Sequence, residues 1–344
     1  MNTKLSNNLT LLFIFIGITA LISVFLPDEF LSLRNFASMG RQFPEYGLLA
    51  LANMLAMTTG GIDLSVVSIA SLSGVVSASF LSQYQTVGMP VGTVIVLGIL
   101  IALAVSVVCG LLNGVIIAYV RVPAIIATLG TQGLFLGVSI IITKGHGIGG
   151  FPDAFLFIGN GSVLGMPTQF IIFVVIALLA GLLLTRTPQG FSMLMYGSSP
   201  QVARFSGIAN EMVLIKTYLL TGLLSGVASL IIISGVNSIR PGYGAEYLLL
   251  SVLIAILGGT DPVGGFGTVL GLTLAIFVMQ ALQSGLNILG FSPFFKKFMW
   301  GLLLLLVMVF HYYRRMLAQR RAIRKSAAQN APPGSKEAAG GQPA

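Results

Sequence analysis

The chain has 344 residues, 56% of them hydrophobic and only 8% charged, with a formal net charge of +9. Apolar runs of about 18 residues recur along it, the length that crosses a bilayer core. The fold class is therefore an all-α membrane protein, and an outer-membrane barrel, whose mark is short alternating segments, is excluded. The single cysteine, Cys109, rules out an internal disulfide and a thiolate metal cluster, and the basic excess reports membrane orientation rather than a nucleic-acid partner.

In chain order, the first span is Leu9 to Leu26. A cleaved leader would need a small-x-small site, which Phe25-Leu26-Pro27-Asp28 does not offer. Arg34 and Arg41 are expected in a connection before the second span, which closes near Met57. The third span, Leu64 to Leu81, is rich in Ser, Ala and Gly, so close helix approach should place it inside the bundle. Val91 to Tyr119 and Ala124 to Thr143 follow on either side of Arg121-Val122-Pro123, and then a glycine-rich connection carries Lys144, His146 and Asp153. The sixth span is Phe170 to Leu184 and the seventh Val213 to Ser234. The short eighth, Tyr247 to Leu257, runs into GGTDPVGGFG, and the last two are Val269 to Leu289 and Phe298 to Tyr312.

This gives a polytopic bundle of about ten transmembrane helices in residues 1–313. Residues 314–344 form a basic tail without apolar periodicity, expected to be disordered. With the N-terminus in the cytoplasm, Lys4, Arg121, Arg186, Arg204, Lys216, Lys336 and the cluster Arg314, Arg315, Arg320, Arg321, Arg324 and Lys325 fall inside, twelve of the 18 basic residues. That bias places both termini in the cytoplasm of a multi-pass bacterial inner-membrane protein.

Between the sixth and seventh spans lies a polar island, Tyr196 to Ile208, YGSSPQVARFSGI. Ser199 is suited to an N-cap, Pro200 to the first helical position and Gly207 to a stop, leaving Gln201, Val202, Ala203, Arg204, Phe205 and Ser206 as a short helix. About one and a half turns do not stand alone in water, so such a helix needs a surface to dock on. The alternative from spacing alone is an ordinary surface loop.

No G-x-x-x-x-G-K-[ST] phosphate loop occurs, and His146 and His311 are far apart with no carboxylate pattern beside them. The membrane-depth acid is Asp63 in TTGGIDLS, read either as a functional group or as a helix cap accepting the Ser65 and Val66 amides. Asp261 in GGTDP repeats that glycine–acid pattern. Polar amides within spans, Asn53, Asn113, Gln132, Gln280, Gln283 and Asn287, suit either a path for a polyhydroxylated solute or glue between helices. The scarcity of intramembrane charge favours an uncharged polar cargo over an ion-coupled pump, and no convergent acid, base and nucleophile set points to an enzyme.

TGGIDLSVVSIASLSG, GLLNGVIIAYVRVPAIIATLGT, YGSSPQVARFSGI, YLLLSVLIAILGGTDPVGGFGTVLG and SGLNILGFSP occur in that order. Together they resemble the permease subunits of ribose-type monosaccharide ATP-binding-cassette importers, over roughly Asn35 to Phe310. The resemblance implies a pore made with a second permease copy or paralogue, set in membrane lipid and using alternating access. It also implies separate cytoplasmic ATPase subunits that hold the ATP and Mg, this chain carrying no cofactor or metal, and a periplasmic sugar-binding protein. The segment Gly197 to Ile208 then corresponds to the cytoplasmic coupling helix, and Asn53, Asp63, Asn113, Gln132, Gln283 and Asn287 are candidates for the pathway. Ser-Pro-Gln-Val-Ala stands where many relatives have an Asn-x-x-Ala-Ala sequence, and Leu250 where an Asp is common. A stand-alone secondary transporter is the competing reading.

Overall fold

The computed structural model describes residues 2–86 and 88–329. In order, its helices are α1 (Asn2–Phe25), α2 (Pro27–Phe30), α3 (Leu33–Thr58), α4 (Val66–Leu81), α5 (Val91–Val115), α6 (Ala124–Thr143) and α7 (Asp153–Asn160). They continue with α8 (Thr168–Arg186), α9 (Pro188–Ser198), α10 (Pro200–Phe205), α11 (Asn210–Val236), α12 (Tyr247–Leu257), α13 (Val269–Ile288) and α14 (Pro293–Gln329). A π-helical turn, Ile116–Val120, extends α5. Four two-residue strands make two small antiparallel pairs: β1 (Ile148–Gly149) with β4 (Ser238–Ile239), and β2 (Ser162–Val163) with β3 (Met166–Pro167).

Each of the ten expected apolar segments lies on one of these helices. Among the described residues, six helices are long and apolar enough by themselves to cross a membrane: α1, α5 with its π turn, α6, α8, α11 and α13. The chain is a polytopic helical membrane protein. α11 lies at the centre, packed on α5, α3 and α4. Its crossing with α5 depends on two glycines: a Cβ on Gly110 would fall 2.4 Å from the Tyr218 carbonyl oxygen, and one on Gly222 2.4 Å from that of Ser106. With no lipid-excluding force between helices, such backbone proximity is what holds them. α4 is buried along most of its length, as its small residues require. α1 sits at the periphery, with 6% of its spanning window buried against 67% for α11.

Four expectations are corrected. Arg34 and Arg41 are not in a connection: Ser32 caps α3 by accepting the Asn35 amide at 3.2 Å, so both arginines ride on its first turns, exposed. The helix continues past Pro44, whose missing donor a packed spanning helix tolerates. The polar island also begins inside a helix, because Thr187 accepts the Gly190 amide and Pro188 takes the first helical position, winding residues 188–198 into α9. The connection after α6 likewise contains α7. Beyond Arg314, α14 continues to Gln329, so residues 314–329 are helical where an unstructured tail is expected. Residues 330–344 of that tail lie outside the described residues.

Candidate functional site

α10 forms as its residues dictate. Ser199, in extended backbone, accepts the Val202 amide at 3.3 Å, and Pro200 opens the helix. At the far end Ile208 N–H reaches the Ala203 carbonyl at 3.0 Å and Gly207 N–H that of Arg204 at 3.1 Å, a Schellman closure around Gly207 at φ +79. Nothing lies within 4 Å of a Cβ on Gly207, so glycine is required there by backbone conformation alone. Ala203 faces inward, fully buried. Val202 and Phe205 face out, Phe205 93% exposed. Asn210, opening α11, donates to the Pro200 carbonyl at 2.8 Å and ties the helix to the bundle.

α9 leads from α10 into a junction of bare backbone. A Cβ on Gly197 would meet the Thr58 carbonyl oxygen at 2.0 Å and the Gly265 nitrogen at 2.4 Å, and Gly265 N–H donates to that same Thr58 carbonyl at 3.0 Å. The end of α3, the end of α9 and the α12–α13 loop are thus joined with no side chain between them. Beside this junction a cleft of about 360 Å³ is lined by Gly61, Arg121, Tyr196, Pro200, Arg204, Glu211 and Tyr218, among others. Burial, with the Glu211 carboxylate nearby, raises the Tyr196 phenol above its ordinary pKa. Arg121 holds a left-handed conformation, φ +61, at the end of the π turn.

Behind the cleft lies a buried polar hub. Asp63 Oδ1 accepts from the Ser65 amide at 2.9 Å and the Ser65 hydroxyl at 2.6 Å, and Oδ2 accepts from Thr221 on α11 at 2.8 Å. The Asp63 amide donates to Asn53 Oδ1 at 3.2 Å, and Asn53 Nδ2 donates to Ser251 on α12 at 2.9 Å. Asn113 on α5 donates to the Ser65 hydroxyl at 2.7 Å, and Leu64 N–H to Thr128 on α6 at 3.1 Å. The capping expectation for Asp63 holds for the Ser65 amide. Thr221, rather than the Val66 amide, engages the second oxygen. One acid turn therefore fixes α3, α5, α6, α11 and α12 against one another.

Of the six amide and acid candidates, the fold brings Asn53, Asp63 and Asn113 together. All three are fully buried. Gln132 on α6 and Gln283 on α13 are half-buried and outside this network, and Asn287 is exposed near the end of α13, accepting from Lys296. Gln280 is buried and accepts from Tyr46. Sequence reasoning missed Thr221 and Ser251, ordinary helix hydroxyls, and Glu45 within α3, whose carboxylate accepts from Tyr247 at 2.9 Å. An acid inside an apolar run was the available signal.

A many-spanning bundle carrying a short, capped, outward-facing helix is an arrangement suited to a membrane permease. The profile of the family described as the permease component of branched-chain amino acid transport systems matches residues 35–308. The autoinducer 2 import system permease protein LsrD of Yersinia enterocolitica is 35% identical over 250 residues, 71% of this chain and 73% of that protein. Those of Escherichia coli K12 and Yersinia pseudotuberculosis are 35% and 34% identical over the same shares. No solved structure matches. The chain belongs to this family of transport permeases: it is the membrane subunit of an ATP-driven importer, located in the inner membrane, with ATP hydrolysis carried by a separate subunit.

Proposed function

We infer that the chain forms one half of an alternating-access pore for a small uncharged sugar or sugar-like solute of the autoinducer 2 kind. Ten segments cross the membrane, carried by α1, α3, α4, α5, α6, α8, α11, α12 with the irregular chain that precedes it, α13 and α14. Both ends of the chain and α10 are cytoplasmic, and a second permease copy or paralogue completes the pore. The family profile's description names branched-chain amino acids, whereas the relatives that cover most of the chain import autoinducer 2. The near absence of fixed charge at membrane depth supports the neutral cargo.

The observation that carries the coupling role is α10 itself. It is locked at both ends, tied to α11, and presents Val202 and Phe205 to solvent. An ATPase groove that takes this apolar pair moves α10, and the Gly197–Thr58–Gly265 junction passes the motion to α3 and the α12–α13 loop without slack. Tilting those helices alternates access. The test is sidedness. In a Cys109→Ser background, Arg204→Cys should react with an impermeant thiol reagent only in inside-out vesicles and Lys144→Cys only in intact cells. Labelling of position 204 from outside would sink the ten-span arrangement.

A further inference from the structure

α12 has 11 residues, a rise of about 16 Å and so about half of a bilayer core. Its Gly258 end continues into the loop that meets the Thr58 end of α3, so its Tyr247 end stands level with the middle of α3. There the Tyr247 hydroxyl donates to Glu45 at 2.9 Å, a residue some 20 Å along α3 from Thr58 by helix rise. The segment from β4 to α12 therefore descends into the half of the bundle away from α10. Gly242 N–H donates to the Ser71 hydroxyl of α4 at 3.1 Å, and two left-handed glycines, Gly242 and Gly244, turn the chain.

Irregular backbone at membrane depth persists only where protein buries it or where it lines a watered cavity. A short, glycine-broken span is the feature that marks solute sites in transporters built of discontinuous helices. The side chains gathered here are polar. Glu45 is half-buried, and beside it are the Tyr247 phenol and a second carboxylate, Glu246. Tyr243 is half-buried, and Glu246 and Arg240 are exposed. Gln169 places a buried carbonyl oxygen with no partner nearby, its amide and Glu45 both facing Gly235.

Resting on the permease reading above, we propose that Glu45, Tyr243 and Tyr247 form an outward-opening site that selects neutral polyhydroxylated solutes. A carboxylate accepts from two adjacent hydroxyls of a sugar ring at once, phenols donate to and accept from the rest, and a tyrosine face covers the ring's C–H side. Two carboxylates against one guanidinium disfavour phosphorylated or acidic solutes.

The experiment uses the permease assembled with its ATPases, in a Cys109→Ser background with the exposed Ala245→Cys as reporter, which leaves both carboxylates in place. A cationic, impermeant methanethiosulfonate is applied from the outer side, both without nucleotide and trapped with ATP and vanadate. The reporter should be labelled in at least one state, and one of D-ribose, D-glucose or myo-inositol, tested singly, should slow labelling about threefold, as for two-thirds occupancy. Ribose 5-phosphate and leucine should not. Adding Glu45→Gln should abolish the protection while the reporter is still labelled from outside without sugar, which shows the vestibule still formed. No labelling from outside in either state, or equal protection by ribose 5-phosphate or leucine, overturns the proposal. Labelling of the reporter from the cytoplasmic side instead would overturn the topology on which the permease reading rests, and so separates the two failures.

Discussion

Two turns of this molecule begin from the same chemistry. At residues 59–65 and 258–265 an apolar helix ends on a left-handed glycine, Gly60 at φ +79 and Gly259 at φ +84. An aspartate then accepts the amide two residues on, Ser65 for Asp63 and Val263 for Asp261, each at 2.9 Å. Asp63 is nonetheless fully buried and bonded to α11, whereas Asp261 is half-buried in its own loop. The shared part is local turn grammar. The difference is made by what packs over it: Thr221, Asn53 and Asn113 arrive from three other helices to surround Asp63. One turn becomes the fastening of the bundle, and the other a hinge-side loop touching the end of α9.

Removing the buried acid should have the largest effect. Asp63→Ala strips the acceptor from the Ser65 amide, the Ser65 hydroxyl and Thr221, and unmet buried donors cost about 1–3 kcal/mol each. The expected loss is about 3 kcal/mol or more, read as a large drop in the aggregation temperature of the detergent-solubilised protein. Asp63→Asn keeps one carbonyl acceptor for Ser65 and should lose about 1 kcal/mol while still transporting. An Asn variant that is fully assembled yet dead in uptake would show that the charge itself serves transport.

The second test acts where the two turns meet α9. Gly197→Val places side-chain atoms against the Thr58 carbonyl and the Gly265 amide, both backbone, and overpacking of this kind costs about 1–3 kcal/mol. The junction should open, so that the complex still assembles while ATP hydrolysis no longer drives uptake in proteoliposomes. Coupled transport at the wild-type rate would mean that α10 passes its motion by another route.

How much of this was legible follows the same division. α10 could be read because Ser199, Pro200 and Gly207 act on their own neighbours, and the long apolar helices because they declare themselves by length. α9 was hidden although Thr187-Pro188 uses the same grammar as Ser199-Pro200, since it adjoins a spanning helix and reads as that span's tail. The hub was half-legible: Asp63, Asn53 and Asn113 stood out as polar groups in apolar runs, but Gln132, Gln283 and Asn287 looked the same and lie elsewhere. An amide in a span carries no local sign of its partner. Glu45 was missed for that reason too, because Tyr247, which explains it, lies in another helix.

The third prediction leaves the fold untouched. Phe205 is 93% exposed, so Phe205→Ala removes almost no intramolecular contact, and the aggregation temperature should not move. Truncating an aromatic anchor at an interface commonly costs about 2 kcal/mol of binding, so co-purification of the ATPase subunits should weaken by about thirtyfold in affinity. Unchanged association would return α10 to the status of a surface loop.

The smallest effect belongs to Asp261. Its carboxylate accepts the Val263 amide in a turn that also closes through the Asp261 carbonyl, which accepts from Gly264, and the Asp261 amide, which donates to Phe266, each at 3.0 Å. Those two backbone bonds do not depend on the side chain. Asparagine presents the same carbonyl oxygen at the same reach and serves such turns about as well as aspartate. Asp261→Asn should therefore keep the Val263 bond and change stability by less than about 0.5 kcal/mol. Uptake should stay near wild type. Asp261→Ala, which removes the acceptor, should cost about 1 kcal/mol and loosen the loop against Gly197, visible as faster amide exchange at Val263 and Gly264 with α4 and α11 unaltered. If Asp261→Asn instead lowered the aggregation temperature as far as Asp63→Ala is expected to, the two turns would be equivalent fasteners, and the distinction drawn from burial would fall.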